Sequence, residues 1–236
     1  MARRVSKKKP IIMLKAGRTS AGAKAASSHT GALAGNDKIY EDVLNQCGVI
    51  RARSLRDLLD FARGVPILPT PKGENVVIIT GAGGSGVLLS DACVDNKLSL
   101  MAMPADLDAA FRKFIPPFGA AGNPVDITGG EPPLTYKNTV KLGLQDDRIH
   151  ALILGYWHTI VTPPMVFAKL MVEVRDEMRA LGIEKPIVAS LAGDVEVEEA
   201  AQYLYEHGIP AYAYSCEIPV AVLGAKYKWA RGAGLL

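Results

Sequence analysis

The sequence predicts an α/β protein, with one complete parallel-sheet domain over residues 74–236 and a partial one over residues 1–63. Three observations carry that expectation. Short apolar runs alternate with longer stretches of helical periodicity, the pattern of strands joined by helical crossovers. Ala151-Leu152-Ile153-Leu154-Gly155 is continuously apolar instead of alternating, as a strand covered on both faces requires. The chain has 236 residues, 49% of them hydrophobic, which is enough to bury a sizeable core.

The elements follow in order. Residues 10–14 form a short apolar run, read as a buried strand, and the stretch 15–35 is read as a loop carrying a histidine. Asn36 caps a helix with Ile39, Tyr40, Val43, Leu44 and Cys47 on one face, and Gly48 stops it. Val49-Ile50 opens a second strand, and Ser54 caps a helix carrying Leu55, Leu58, Leu59 and Ala62. Residues 64–73, with three prolines and two glycines, read as a linker. Beyond it, strands are expected at 76–80, 99–103, 151–155, 186–191 and 209–214. Helices are expected at 87–95, from Asp106 to about 116, and at 133–144, 164–181, 195–207 and 218–231. The segment 122–130 reads as a rigid turn region. Residues 74–236 thus make a complete flavodoxin-like domain. Residues 1–63 supply only two strands and two or three helices, too little for a closed sheet. Residues 1–6 read as the tail of a helix that starts elsewhere.

Composition excludes several classes. Three cysteines, Cys47, Cys93 and Cys216, are far apart and odd in number, so free thiols in a reducing compartment are expected. No Cys-x-x-Cys occurs, and no metal site is predicted. No signal peptide or membrane span is legible, which points to a soluble cytoplasmic protein. The net charge is only +3, yet residues 1–36 hold eight basic groups and no acidic one. The basic excess is local and speaks of an anionic ligand near the N-terminal segment. Nucleic acid fits less well, because no aromatics are interleaved with the cations.

The richest segment surrounds His29. Ser27-Ser28-His29-Thr30-Gly31 follows Lys15-Ala16-Gly17-Arg18-Thr19 and Lys24, and runs on into Ala32-Leu33-Ala34-Gly35. Small residues allow close backbone approach, hydroxyls donate and cations offset charge, so an imidazole can be brought to a phosphate. Gly81-Ala82-Gly83-Gly84-Ser85-Gly86 lies between a strand and a helix. It fits a phosphate received at a helix N-terminus, a tight βα turn, or a dinucleotide site with Asp106 as the ribose acid. His158 lies at the C-terminal edge of a strand, where α/β folds bind ligands. His150 is expected at the surface, and His207 at a helix end. Asn123-Pro124-Val125-Asp126 reads as a turn lock or as a site lining.

Together these segments, in this order, resemble the NDP-forming (ADP-forming) acyl-CoA synthetases, relatives of succinyl-CoA synthetase. The chain is similar to the C-terminal part of their α-type chain. The resemblance covers nearly the whole sequence. It assigns residues 1–63 to the C-terminal half of a succinyl-CoA ligase-like domain, 64–73 to a linker and 74–236 to the second flavodoxin-like ligase domain. It implies that His29 is a phosphohistidine, carrying phosphate from acyl phosphate to ADP. Ser28, Thr30, Gly31, Gly83, Gly84, Ser85 and Gly86 are then expected to bind phosphate, while Lys15, Arg18, Asn123, Asp126 and His158 meet the anion or line the site. Two helix N-termini flank the phosphohistidine in this family, and the segments 83–86 and 156–162 are the candidates for the second of them. Trp157-His158 stand where the succinyl branch has glycines.

The resemblance also implies partners. CoA and ATP or ADP with Mg are substrates handled mainly by a CoA-binding domain and an ATP-grasp subunit or domain that this sequence does not contain. A homo- or hetero-oligomer is expected, with no tightly bound cofactor, no nucleic acid and no membrane. Two other readings stand beside this one: a non-catalytic docking or phosphate-binding module of a larger complex, and a nucleotide-binding oxidoreductase built on Gly81 to Gly86.

Overall fold

A computed structural model describes residues 1–30 and 35–236, except for the side chain of Thr30. The chain divides into two compact units, Met1–Pro66 with Ala225–Leu236, and Ile67–Gly224. The last twelve residues, the end of the stretch read as the second domain, therefore group with the first unit.

In the first unit, α1 (Ala2–Ser6) leads to β1 (Ile12–Leu14), α2 (Ser20–Thr30), α3 (Asp37–Gln46), β2 (Ile50–Ala52) and α4 (Leu55–Gly64). Strands β1 and β2 pair in parallel, Ile12 opposite Ile50. Asn36 caps α3 by accepting from the Lys38 amide, and Ser54 caps α4 by accepting from the Asp57 amide. Helix α2 corrects the expected loop. Thr19 Oγ1 accepts from the Gly22 amide at 3.2 Å and so acts as an N-cap, and four alanines among the next seven residues favour the helix. The C-terminal half of α10 (Glu217–Ala233) supplies Trp229, whose Nε1 donates to Ser6 O at 2.7 Å, and buried Lys226, whose Nζ donates to Val65 O at 3.4 Å. Burial lowers the Lys226 ammonium to about 8.

One ion cluster joins β2 to α3. Arg51 has a 4% exposed side chain and bonds Asp37 Oδ1 and Glu41 Oε2, each at 2.5 Å. The Arg51 hydrogen bond lowers the Asp37 pKa against the opposing effect of burial. At Glu41 burial pushes upward, but the Arg51 hydrogen bond and charge outweigh it, and the net shift is downward. The β1–β2 pair leaves Met13, Leu14, Ile39, Val43, Leu55 and Leu59 exposed.

The second unit is built on β3 (Asn75–Thr80), followed by α5 (Gly83–Asp95), β4 (Ser99–Leu100), α6 (Ala105–Phe111), β5 (Val125–Asp126), α7 (Pro133–Gln145), β6 (Ala151–Trp157), α8 (Pro164–Ala180), β7 (Ile187–Ala192), α9 (Val195–Glu206) and β8 (Ala211–Ala213). The named strands all pair in parallel, in the order β4-β3-β6-β7-β8, with β5 beside β3. Without the short β5 this is the flavodoxin strand order. The predicted elements are present with shifted ends. Helix α5 starts at Gly83, four residues before the expected start. Helix α6 ends at Phe111, five residues short of the expected stop. Ala151 to Leu154 and Tyr156 are at most 1% exposed, as their continuous apolar run requires.

Asn123 closes the sheet where strands are too short. On one edge of β3, β4 covers Asn75–Val76 and β5 covers Ile79–Thr80. Between them the Asn123 amide fills in: Oδ1 accepts from Ile78 N at 3.0 Å, and Nδ2 donates to Val76 O at 2.8 Å and to Met101 O at 3.1 Å. A side chain thereby replaces one rung of a ladder.

Two outcomes follow. Asn123→Ala leaves the buried Ile78 amide without its acceptor and is expected to cost about 2–3 kcal/mol, read from the denaturant midpoint. Arg51→Met lowers that midpoint at neutral pH. Because the carboxyl pKa values are depressed on folding, the stabilisation is complete above their ordinary values of 3.8 and 4.5 and is lost as pH falls through the lower folded values. The gap between variant and parent should therefore shrink below about pH 4, and a gap constant down to pH 3 would contradict this account.

Candidate functional site

In the first unit, His29 sits in the last turn of α2 and is exposed. The helix presents it at its end, which gives the imidazole free access from solvent. Ser28 is also exposed, but its Oγ donates back to Ala25 O at 2.9 Å, inside its own helix. Arg18 and Lys24 are exposed cations on the same segment. Lys15 is not: its side chain is 13% exposed and lies 3.6 Å from Asp37. The Thr30 side chain and Gly31, both expected at the phosphate, lie outside the described residues.

In the second unit, the first turn of α5 follows directly from β3. Ala82 is its N-cap and offers no side-chain acceptor, so the amides of the first turn have no side-chain cap. Gly83 and Gly84 are exposed, Ser85 is half-buried and Gly86 is buried. Asp126 Oδ1 accepts from the Thr128 amide at 2.9 Å. Its Oδ2 lies so close that a Cβ on Gly83 would stand 2.7 Å away, which explains the glycine. The turn expected to receive a phosphate thus already faces one carboxylate. Asp106 lies in the first turn of α6, not at a strand end, and pairs with Arg148 at 2.8 Å. That removes the ribose acid on which a dinucleotide reading depended.

The second candidate loop runs from Tyr156 to Thr162. Tyr156 Oη donates to Thr162 O at 2.6 Å, and Thr162 Oγ1 donates to Glu131 O at 3.0 Å. These bonds hold the loop over the end of β6. Helix α8 follows with Pro163 at its N-cap and Pro164 first in the helix. Neither has an N–H, so this N-terminus offers fewer amides to an anion than that of α5.

His158 is held from the neighbouring strand end. Its backbone amide donates to Ala192 O at 2.8 Å, and its Nδ1 lies 3.1 Å from Asp194 Oδ1. Glu196 Oε2 stands 3.8 Å from Nε2. Among the described residues, His158, Asp194 and Glu196 are the group able to share a cation, with ligand atoms within 4.8 Å of one another. Both carboxylates are about 60% exposed, and Asp194 is already committed as the N-cap of α9. Sequence reading missed this pair of acids. The signal was present: an aspartate between a strand and a helix, at the sheet's ligand-binding end.

The remaining groups are structural. His150 is half-buried; its Nδ1 accepts from the Asn75 amide at 3.1 Å, which ties the start of β6 to β3, and burial lowers its pKa. His207 stacks on Tyr203 at the end of α9. Burial pushes the Cys93 thiol up to about 12, which leaves it unreactive. A cavity of about 30 Å³ beside Ile67, Met178, Lys185 and Ile209 has room for water but not for a nucleotide. No helix among the described residues is long and apolar enough to cross a membrane.

Comparison with known proteins agrees with this architecture. The Ligase-CoA domain family matches residues 76–236, and the succinyl-CoA ligase-like flavodoxin domain matches residues 1–65. The α subunit of an ADP-forming acetate–CoA ligase I from Pyrococcus furiosus is 42% identical over 98% of this chain and 49% of its own length. An ADP-forming acetate–CoA ligase from Methanocaldococcus jannaschii is 38% identical over 97% of this chain and 32% of its own. The solved acetyl-coenzyme A synthetase 1 of Candidatus Korarchaeum cryptofilum, in complex with phosphate and ADP, superposes with a TM-score of 0.92 at 38% identity, covering 99% of this chain and 49% of the other. The chain thus spans a third to a half of the length of the relatives it matches. Identity at this level along nearly its whole length, on the same fold, places the chain in the family of NDP-forming acyl-CoA synthetases related to succinyl-CoA ligase.

Proposed function

We propose that this chain is the phosphohistidine-bearing part of an ADP-forming acyl-CoA ligase, which interconverts acyl-CoA, ADP and phosphate with acid, CoA and ATP. The observation that carries the reading is His29, exposed at the end of a helix in a segment with eight basic groups and no acid. Phosphate displaces CoA from the acyl-CoA to give acyl phosphate and the free thiol. A neutral imidazole nitrogen of His29 then attacks phosphorus; the N–P bond forms as the acyl C–O–P bridge breaks, releasing the carboxylate. The phosphoryl group next passes to the terminal oxygen of ADP, which regenerates the imidazole. Little covalent work falls to other residues in such a transfer, so positioning and electrostatic stabilisation dominate.

In this reading Ser28, Thr30 and Gly31 lie beside the transferred group, and Arg18 with Lys24 supplies positive field. Gly83, Gly84, Ser85 and Gly86 offer helix N-terminal amides to a phosphate, with Asp126 setting the shape of that turn. His158, oriented by Asp194, is the candidate to touch ligand at the other strand end. Asn123 serves by holding β3. CoA and ATP or ADP with Mg are handled by CoA-binding and ATP-grasp parts supplied from elsewhere in the enzyme. The exposed apolar residues of β1, α3 and α4 support this, since a two-stranded sheet rarely stands alone and further strands would cover them.

The test is an intact mass of the chain from its own host at mildly alkaline pH, beside His29→Asn. One acid-labile phosphoryl group is expected on the parent and none on the folded variant. Equal labelling of the two, or a parent never phosphorylated in the presence of its partners, would overturn the assignment.

A further inference from the structure

We propose that Lys15 is a positioning residue that clamps together the two ends of the His29 segment, not a ligand of the anion. Lys15 follows β1 directly, and Gly17 and Gly35 lie on either side of α2 and His29 in the sequence. Its Nζ lies 3.5 Å from Gly17 O and 3.3 Å from Gly35 O, the two carbonyls that bracket residues 18–34. The third neighbour is Asp37 Oδ1 at 3.6 Å. Two of the three ammonium donors thus meet the carbonyls, and Asp37 faces the ammonium as an ion-pair partner. Its charge is likewise answered locally, because Lys15 and Arg51, two cations, face the two carboxylates Asp37 and Glu41.

The site is built around the clamp. Nζ stands 4.7 Å from the centroid of the Tyr40 ring, a favourable position for a cation. The returning chain packs on the same ring so closely that a Cβ on Gly35 would lie 2.8 Å from Tyr40 Cε2. One ammonium therefore bridges the two ends of the segment beside the Tyr40 ring. Joining the two ends restricts the conformations open to everything between them, including α2 and His29. Arg18 and Lys24, next to and within α2, are exposed cations open to an incoming anion.

The clamp itself rests on geometry; only its effect on catalysis rests on His29 being the phosphoryl acceptor. Two readouts separate these. Hydrogen exchange on the full chain should show residues 18–30 exchanging about tenfold faster in Lys15→Met, with residues 74–224 unchanged as the control for folding. Lys15→Gln, which keeps two donors without the charge, should fall between variant and parent; it decides the matter if Lys15→Met does not fold. In the assembled ligase, His29 phosphorylation should slow about tenfold while the KM for phosphate stays within about twofold. Unchanged exchange over residues 18–30, or a KM for phosphate raised about tenfold with normal exchange, would make Lys15 an anion ligand and overturn the clamp. If His29 in the parent never carries phosphate, the proposed function falls, and the exchange measurement alone still decides the clamp.

Discussion

Strand β3 is the constraint on which the larger unit depends. It pairs with β6 along its length and with β4 and β5 at the two ends of its other edge. No backbone strand spans the middle of that edge, and the Asn123 amide takes its place. Because the sheet is buried on both faces, every polar group along β3 needs a partner, and a side chain of the right length meets the need. The same strand ends in the turn that starts α5. The presentation of Gly83 to Gly86 thus follows from how firmly β3 is held.

In the smaller unit the organising interactions are electrostatic. The N-terminal segment is strongly basic in sequence, yet its cations divide into two groups in space. Lys15 turns inward and is answered by carbonyls and Asp37, while Arg51, from the following strand, is buried and answered by Asp37 and Glu41. These charges shape the base of the segment. Arg18 and Lys24 stay outside, where they can act on a ligand. A count of cations overstates the field an anion meets, because part of it is spent on architecture.

The two ends of strands in the larger unit also differ in chemistry. The α5 turn has no side-chain N-cap and has one carboxylate beside it. The loop after β6 leads into a proline-started helix and offers an imidazole braced by Asp194. These groups are chemically unequal: backbone amides only donate, whereas a neutral imidazole offers one donor and one acceptor nitrogen.

The alternation of apolar runs and helical stretches was enough to predict the α/β class, the number of major strands after residue 74 and the burial of 151–155, because these depend on local periodicity and hydrophobicity. The proposal that His29 takes up phosphate starts from its neighbours in sequence. Its place on a helix was not, because small residues between glycines suit a loop as well as a helix, and Thr19 as N-cap decided between them. Tertiary structure alone assigned Asn123 to the edge of β3, His150 to the Asn75 amide, Asp106 to Arg148 and Lys15 to the ends of its segment. Each of these roles depends on a partner at the far side of a turn or in another element, and the sequence specifies the chemistry of a side chain without specifying which neighbour it will meet.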